Sequence, residues 1–136
     1  MKIDGACYCG VIAFEAEVNP EHVGLCHCTD CQTMSGTTFR HIVPASADGF
    51  RVVSGTPKTY VKTAESGNRR VMAFCATCGT QLWACDEGDD PGRISIRGGV
   101  VRQRDLLAPK RHIWYRSAQP WLEGIGDLPR IEKQPG

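Results

Sequence analysis

Apolar and polar residues alternate in short runs along this chain, and Gly or Pro interrupts them before any helical period can build. The cleanest case is Arg93-Ile94-Ser95-Ile96-Arg97, a two-residue period ending at Gly98-Gly99. The same pattern predicts strands over residues 11–18, 38–43 (stopping at Pro44), 50–53, 58–62, 70–74 and 81–84, with 112–115 as a last one. Two segments read as helical turns: residues 30–35, and 101–107 ahead of Pro109. The acidic run 86–92 reads as a solvated turn between strands, and 124–136 as a loosely packed tail. Many short strands joined by turns predict a mainly β fold, sandwich or barrel-like, and 136 residues suit a single domain.

What changes this plain picture is the placement of cysteine. Seven of the eight cysteines fall in three clusters: Cys7-Tyr8-Cys9-Gly10, Cys26-His27-Cys28-Thr29-Asp30-Cys31 and Cys75-Ala76-Thr77-Cys78-Gly79. Two sulfurs three positions apart grip one metal when the backbone between them turns, and the following glycine accepts the positive φ of such turns. Cys75 and Cys78 therefore supply half a tetrahedron. Cys7 and Cys9 are the natural other half, because positions two apart on extended chain share a face. Four thiolates close a zinc site and make it structural, whereas the remaining three leave a coordination position open to chemistry.

In the middle cluster Cys26 and Cys28 share a face and Cys31 completes a three-thiolate cap, which points His27 the other way. His27, or His41 and His112 from a distance, remain possible fourth ligands. Asp30 is either a carboxylate orienting a ligand or a turn-stabilising group. Three thiolates make zinc electron-rich and a weak Lewis acid, better suited to a soft fourth ligand such as a substrate thiolate than to ionising water. Arg40, Arg69, Arg70, Lys110 and Arg111 are cations that could meet the carboxylates of such a thiol. Cys85 reads as a small buried hydrophobe, and Trp83, Trp114 and Trp121 as core first and pocket wall second.

A disulfide framework would need an oxidising compartment, yet residues 1–10 hold no apolar signal core and no run is long enough to span a membrane. A cytoplasmic setting is the expectation. Cys75 and Cys78 also lack the βαβ setting of a thioredoxin-like redox pair. The formal net charge of +1 falls to about −2 once seven thiolates and two Zn²⁺ are included, so no basic field remains for nucleic acid.

Taken in order, these clusters, with Gly5-Ala6 before the first, Gly36, Phe74 and Thr80 flanking the third, His112-Ile113-Trp114 and Pro120-Trp121, resemble the glutathione-dependent formaldehyde-activating enzymes, a family that includes the centromere protein V branch. The resemblance runs over residues 1–128 and leaves 129–136 as a tail. It implies a zinc-bound, Mss4-like fold with Cys7, Cys9, Cys75 and Cys78 on a structural zinc and Cys26, Cys28 and Cys31 on a catalytic one. The activity it implies is carbon–sulfur lyase chemistry, joining formaldehyde to glutathione as S-hydroxymethylglutathione. The rival classes are a zinc-stabilised binding module and a redox sensor built on Cys26, Cys28 and Cys31.

Overall fold

Nine strands and one short helix build the computed structural model, which describes residues 1–135. The strands are β1 (Lys2–Ala6), β2 (Ala13–Val18), β3 (Gly24–Cys26), β4 (Arg40–Ser54), β5 (Lys58–Thr63), β6 (Arg69–Phe74), β7 (Gln81–Asp86), β8 (Arg93–Arg97) and β9 (Arg111–Ile113), and the helix is α1 (Thr29–Ser35). They form one sheet in the order β1-β2-β4-β8-β7-β6-β5, with β3 paired to β4 and to β9. Every pairing is antiparallel except β3 with β9. The expected mainly β, antiparallel, single-domain fold is what the chain adopts.

Alternation fills the core. In β2 the side chains of Phe14, Ala16 and Val18 are buried while Glu15 and Glu17 face water, and in β8 Ile94 and Ile96 turn inward. An isolated bridge from Gly5 to Val101 ties the β1 end of the sheet to the segment after β8, so the sheet curls over its own inner face. Phe14 then reaches Trp83 of β7 edge-on at 5.8 Å between ring centroids, and Phe50 meets the same indole at 4.8 Å. Gly5 is obligatory at the crossing, because a Cβ there would lie 2.2 Å from the Val100 carbonyl oxygen.

Four expectations need correction. Residues 38–43 and 50–53 are not separate strands: β4 runs unbroken through Pro44. Pro44 falls where one edge of β4 changes partner, between the last β3 pair at Ile42 and the first β2 pair at Ala45, so no strand opposes it there. The interruption survives as a bulge, in which the register jumps from Val18–Ala45 to Ala16–Phe50 and residues 46–49 oppose Glu17 alone. Residues 101–107 form only a 3₁₀ turn at Arg104–Leu106, since Val101 is drawn into the bridge with Gly5. The last strand ends at Ile113, and Trp114 leaves it in the left-handed region at φ 54°. Trp83 is core as expected, but Trp114 and Trp121 are exposed. Cys85 is half-buried against the core.

Candidate metal centres

The first centre joins the edge strand β1 of the curled sheet to β6, the strand next to the opposite edge. Cys7 follows β1, Cys75 follows β6, and the four sulfurs of Cys7, Cys9, Cys75 and Cys78 all lie within 4.8 Å of one another. Cys7 and Cys9 are brought together by a turn, with the Gly10 amide donating to the Cys7 carbonyl at 3.0 Å, rather than by the extended chain their spacing suggested. Gly10 (φ 82°) and Gly79 (φ 77°) both occupy the left-handed region that lets each loop fold back. Tetrahedral coordination at a Zn–S distance of about 2.3 Å separates the sulfurs by about 3.8 Å. The Cys7–Cys9 and Cys9–Cys75 sulfurs are 3.6 and 3.8 Å apart, which fits that polyhedron and is far from a disulfide bond.

Backbone and hydroxyl donors already prepare Cys7 and Cys78 to be thiolates, whereas at Cys9 the Val11 amide is outweighed by Cys7, burial and the other sulfurs, which push that thiol up to about 11. Burial pushes the Cys7 thiol up, but the Ile12 amide at 3.3 Å, with Cys9 and Cys75, outweighs it and leaves the group lowered. The Thr80 hydroxyl 3.1 Å from Cys78, with backbone donors, brings that thiol down to about 5. Thr80 also accepts from the Tyr8 amide at 3.1 Å, stitching the two loops together.

The second centre gathers Cys26 at the end of β3, Cys28 at the N-cap of α1 and Cys31 within its first turn, again with all sulfurs within 4.8 Å. Among the described residues no fourth His, Cys, Asp or Glu joins them. The Cys31 amide donates to the Cys28 sulfur at 3.3 Å, so helix formation and ligand placement are one event. Hydrogen bonds from Cys26 and Cys31 hold Cys28 far below the usual thiol range, and those same bonds to Cys28 push Cys26 up. A soft divalent ion fits both sulfur sets, and zinc is the ion whose tetrahedral thiolate chemistry they match.

The histidines have other partners. His27 is buried, with Nε2 2.8 Å from His112 Nδ1 and its ring against Phe39 and Tyr115. His41 Nε2 donates to the Leu107 carbonyl at 2.8 Å. Asp30 accepts from Lys62 at 2.8 Å, tying α1 to β5. Arg70 is paired with Asp86 at 2.6 Å, Arg69 with Glu87 at 3.0 Å and Lys110 with Glu21 at 3.8 Å, which takes them out of the pool of free cations.

Residues that sequence reasoning passed over frame this second centre. Gln32 on α1 donates to the His27 carbonyl at 2.8 Å and to the Ser117 carbonyl at 2.9 Å, and accepts from Gln119 at 2.8 Å. Arg97 is buried beside Arg40, although the alternation of β8 would have sent it to solvent. Burial, and after it the charge of Arg40, pushes Arg97 down to about 9, still cationic at neutral pH. Both arginines line a cavity of about 880 Å³ with Thr33, Gly36, His41 and Gly98. The three cysteines are not part of that lining; the Cys26 bond and the positive charge of Arg40 pull the Cys31 thiol down, but Cys28 and burial outweigh them and leave it raised.

The fold has a counterpart in the crystal structure of a Rhodobacter sphaeroides protein, at a TM-score of 0.60 and 20% identity over 80% of this chain and 98% of that one. A model of the glutathione-dependent formaldehyde-activating enzymes matches residues 2–117, which include both sulfur clusters, and the chain belongs to that family.

Proposed function

We propose that this chain is a zinc-dependent enzyme that makes and breaks a carbon–sulfur bond between a small thiol and an aldehyde. Glutathione and formaldehyde, giving S-hydroxymethylglutathione, are the pair the family description favours. In this reading Cys7, Cys9, Cys75 and Cys78 hold a structural zinc, and Cys26, Cys28 and Cys31 hold a catalytic one. The observation that carries it is the three-sulfur set with no fourth His, Cys, Asp or Glu among the described residues, beside a cavity.

Bound there, zinc would supply a soft acceptor for the substrate sulfur and keep it ionised near neutral pH. The chain's own part is placement. The N-cap geometry of Cys28 and Cys31 fixes the cap, and Gln32 fixes α1 against the Ser117 segment. The bond forms when a sulfur lone pair adds to the carbonyl carbon. The carbonyl π electrons move to oxygen, which takes a proton from solvent, and cleavage runs the same path backwards. Holding the two reactants together is the main source of rate, since the reagents are intrinsically reactive.

The test is exchange between free glutathione and S-hydroxymethylglutathione, followed by NMR for zinc-loaded wild type and Cys28→Ser. Acceleration by wild type alone is the expected result. Equal rates, with both proteins folded and zinc-loaded, would remove this activity and leave a zinc-stabilised binding role.

A further inference from the structure

Two guanidinium groups lie buried in the wall of the cavity with much of their hydrogen-bonding capacity unused. Arg40 is 5% and Arg97 7% exposed, and Nε and Nη2 of each have no acceptor among the described residues. Arg97 donates only from Nη1, at 3.3 Å to the Ser95 carbonyl. The unused pair on each residue is the side-on fork, two parallel N–H groups whose spacing matches the two oxygens of a carboxylate or the edge of a phosphate; its nitrogens are enclosed in the cavity wall, so an anion takes them up as the side chain turns toward the opening. A buried, unpaired cation is costly, and two side by side are costlier.

The cysteines do not remove that imbalance. Three thiolates around a divalent ion carry a charge of about −1, so the arginine pair leaves the centre at about +1. Sulfur is also a poor match for a planar two-pronged donor, whereas oxyanions are its natural acceptor. The other cations lining the cavity are different in kind: Arg102 is exposed and paired with Asp4 at 3.1 Å, and Arg104 is exposed.

We propose that Arg40 and Arg97 form an oxyanion subsite of the cavity, which takes a carboxylate-bearing small molecule, preferably a dianion, and holds it beside Cys26, Cys28 and Cys31. Formaldehyde has no anionic group, so the carboxylate belongs either to the thiol or to an oxo-acid in place of the simple aldehyde. Assigning the bound anion to a substrate rests on the thiol–carbonyl reading above. The binding of the anion does not, so the exchange reaction can fail while the subsite stands.

The experiment is calorimetric titration of malonate into the zinc-loaded protein at constant ionic strength, with acetate alongside. Wild type is expected to bind malonate saturably and more tightly than acetate. Arg97→Met and Arg40→Met should each weaken binding about tenfold or more, the loss of a charge-assisted pair. Arg69→Met, outside the cavity and paired with Glu87, should leave it unchanged. Arg97→Lys keeps the charge and removes the fork, so it tests the same contact if methionine disturbs the fold, and it too should bind about tenfold more weakly. Competition by S-methylglutathione places the carboxylate on the thiol, and competition by glyoxylate places it on the carbonyl partner. Either result supports the subsite. Malonate binding that is absent, or equal in wild type, Arg97→Lys and Arg40→Met, would overturn it.

Discussion

The two sulfur clusters use the same ligand chemistry and are built in opposite ways. The four-sulfur set takes two residues from each of two distant loops, with Cys9 and Cys75 66 positions apart, and it joins the edge strand β1 to β6, next to the opposite edge. The three-sulfur set comes from a single stretch of six residues at the mouth of α1. A metal in the first would constrain a long loop that the unfolded chain leaves open, so on the proposed reading its binding would become folding free energy. A metal in the second would close almost no loop and add little to the stability of the sheet. What it has instead is a local frame, with Cys28 capping its own helix and buried cations nearby. The length of chain each site closes thus points the same way as its ligand number in the proposed division between a structural and a working zinc.

The sharpest way to break this comparison is to remove one ligand from each. Cys75→Ser should forfeit much of the roughly 10 kcal/mol that a structural zinc contributes and leave the domain unfolded by circular dichroism. Cys28→Ser should keep the fold and its melting temperature within a few degrees while reducing exchange to the uncatalysed rate. If both variants melt alike, the division of labour is wrong. A graded chelator sharpens the same point. The zinc of the three-sulfur set should leave first, taking exchange activity with it at unchanged ellipticity, and loss of the second should coincide with unfolding.

Smaller effects test the frame around the second centre. A Cβ on Gly98 would fall 1.8 Å from His41 Nδ1, so Gly98→Ala should cost about 1–3 kcal/mol in urea denaturation. His27 has its pKa lowered by burial and then by the charge of His112, with Phe39 and Tyr115 packed on its ring. Its folded value lies below the unfolded one of about 6.5, so the unfolded chain binds more protons between the two. That contribution is complete above pH 6.5 and is lost as the pH falls through the lowered folded value. Wild type should therefore lose more melting temperature than His27→Gln between pH 7 and 5 (buffer values set by the reference pKa). Smallest is Asp30→Asn, which breaks a half-exposed pair with Lys62 and should cost under about 1 kcal/mol by thermal denaturation.

Much of this was legible before any coordinates. Cysteine spacing gave both sulfur sets because ligand geometry is local, and β2, β6, β7 and β8 followed from apolar runs bounded by Gly or Pro. Two strands gave no such signal. In β1 the sequence Lys2-Ile3-Asp4-Gly5-Ala6 is broken by Asp and Gly, and Gly5 is there for its close approach to Val100 and not for strand propensity. Three-residue β3 is too short to show a period at all. The arginine pair was half visible: Arg40 was a candidate cation, whereas Arg97 sat on the outward phase of a clean alternation. Tertiary packing reversed that phase, with Ile96 and Arg97 buried together, as it reversed the expectation for Trp114 and Trp121 in the other direction.

The bolt between α1 and the Ser117 segment carries a consequence for the order in which a newly made chain matures. Cys26, Cys28 and Cys31 are synthesised well before Cys75 and Cys78, yet their surroundings need β9, which pairs with β3, and the carbonyl of Ser117 held by Gln32. A nascent chain has all four sulfurs of the other set in hand once Cys78 has emerged. The three-sulfur pocket stays without its outer wall for roughly another forty residues, two to eight seconds at ordinary ribosome speeds. The cluster whose sulfurs are all synthesised first is thus the last to gain its surroundings.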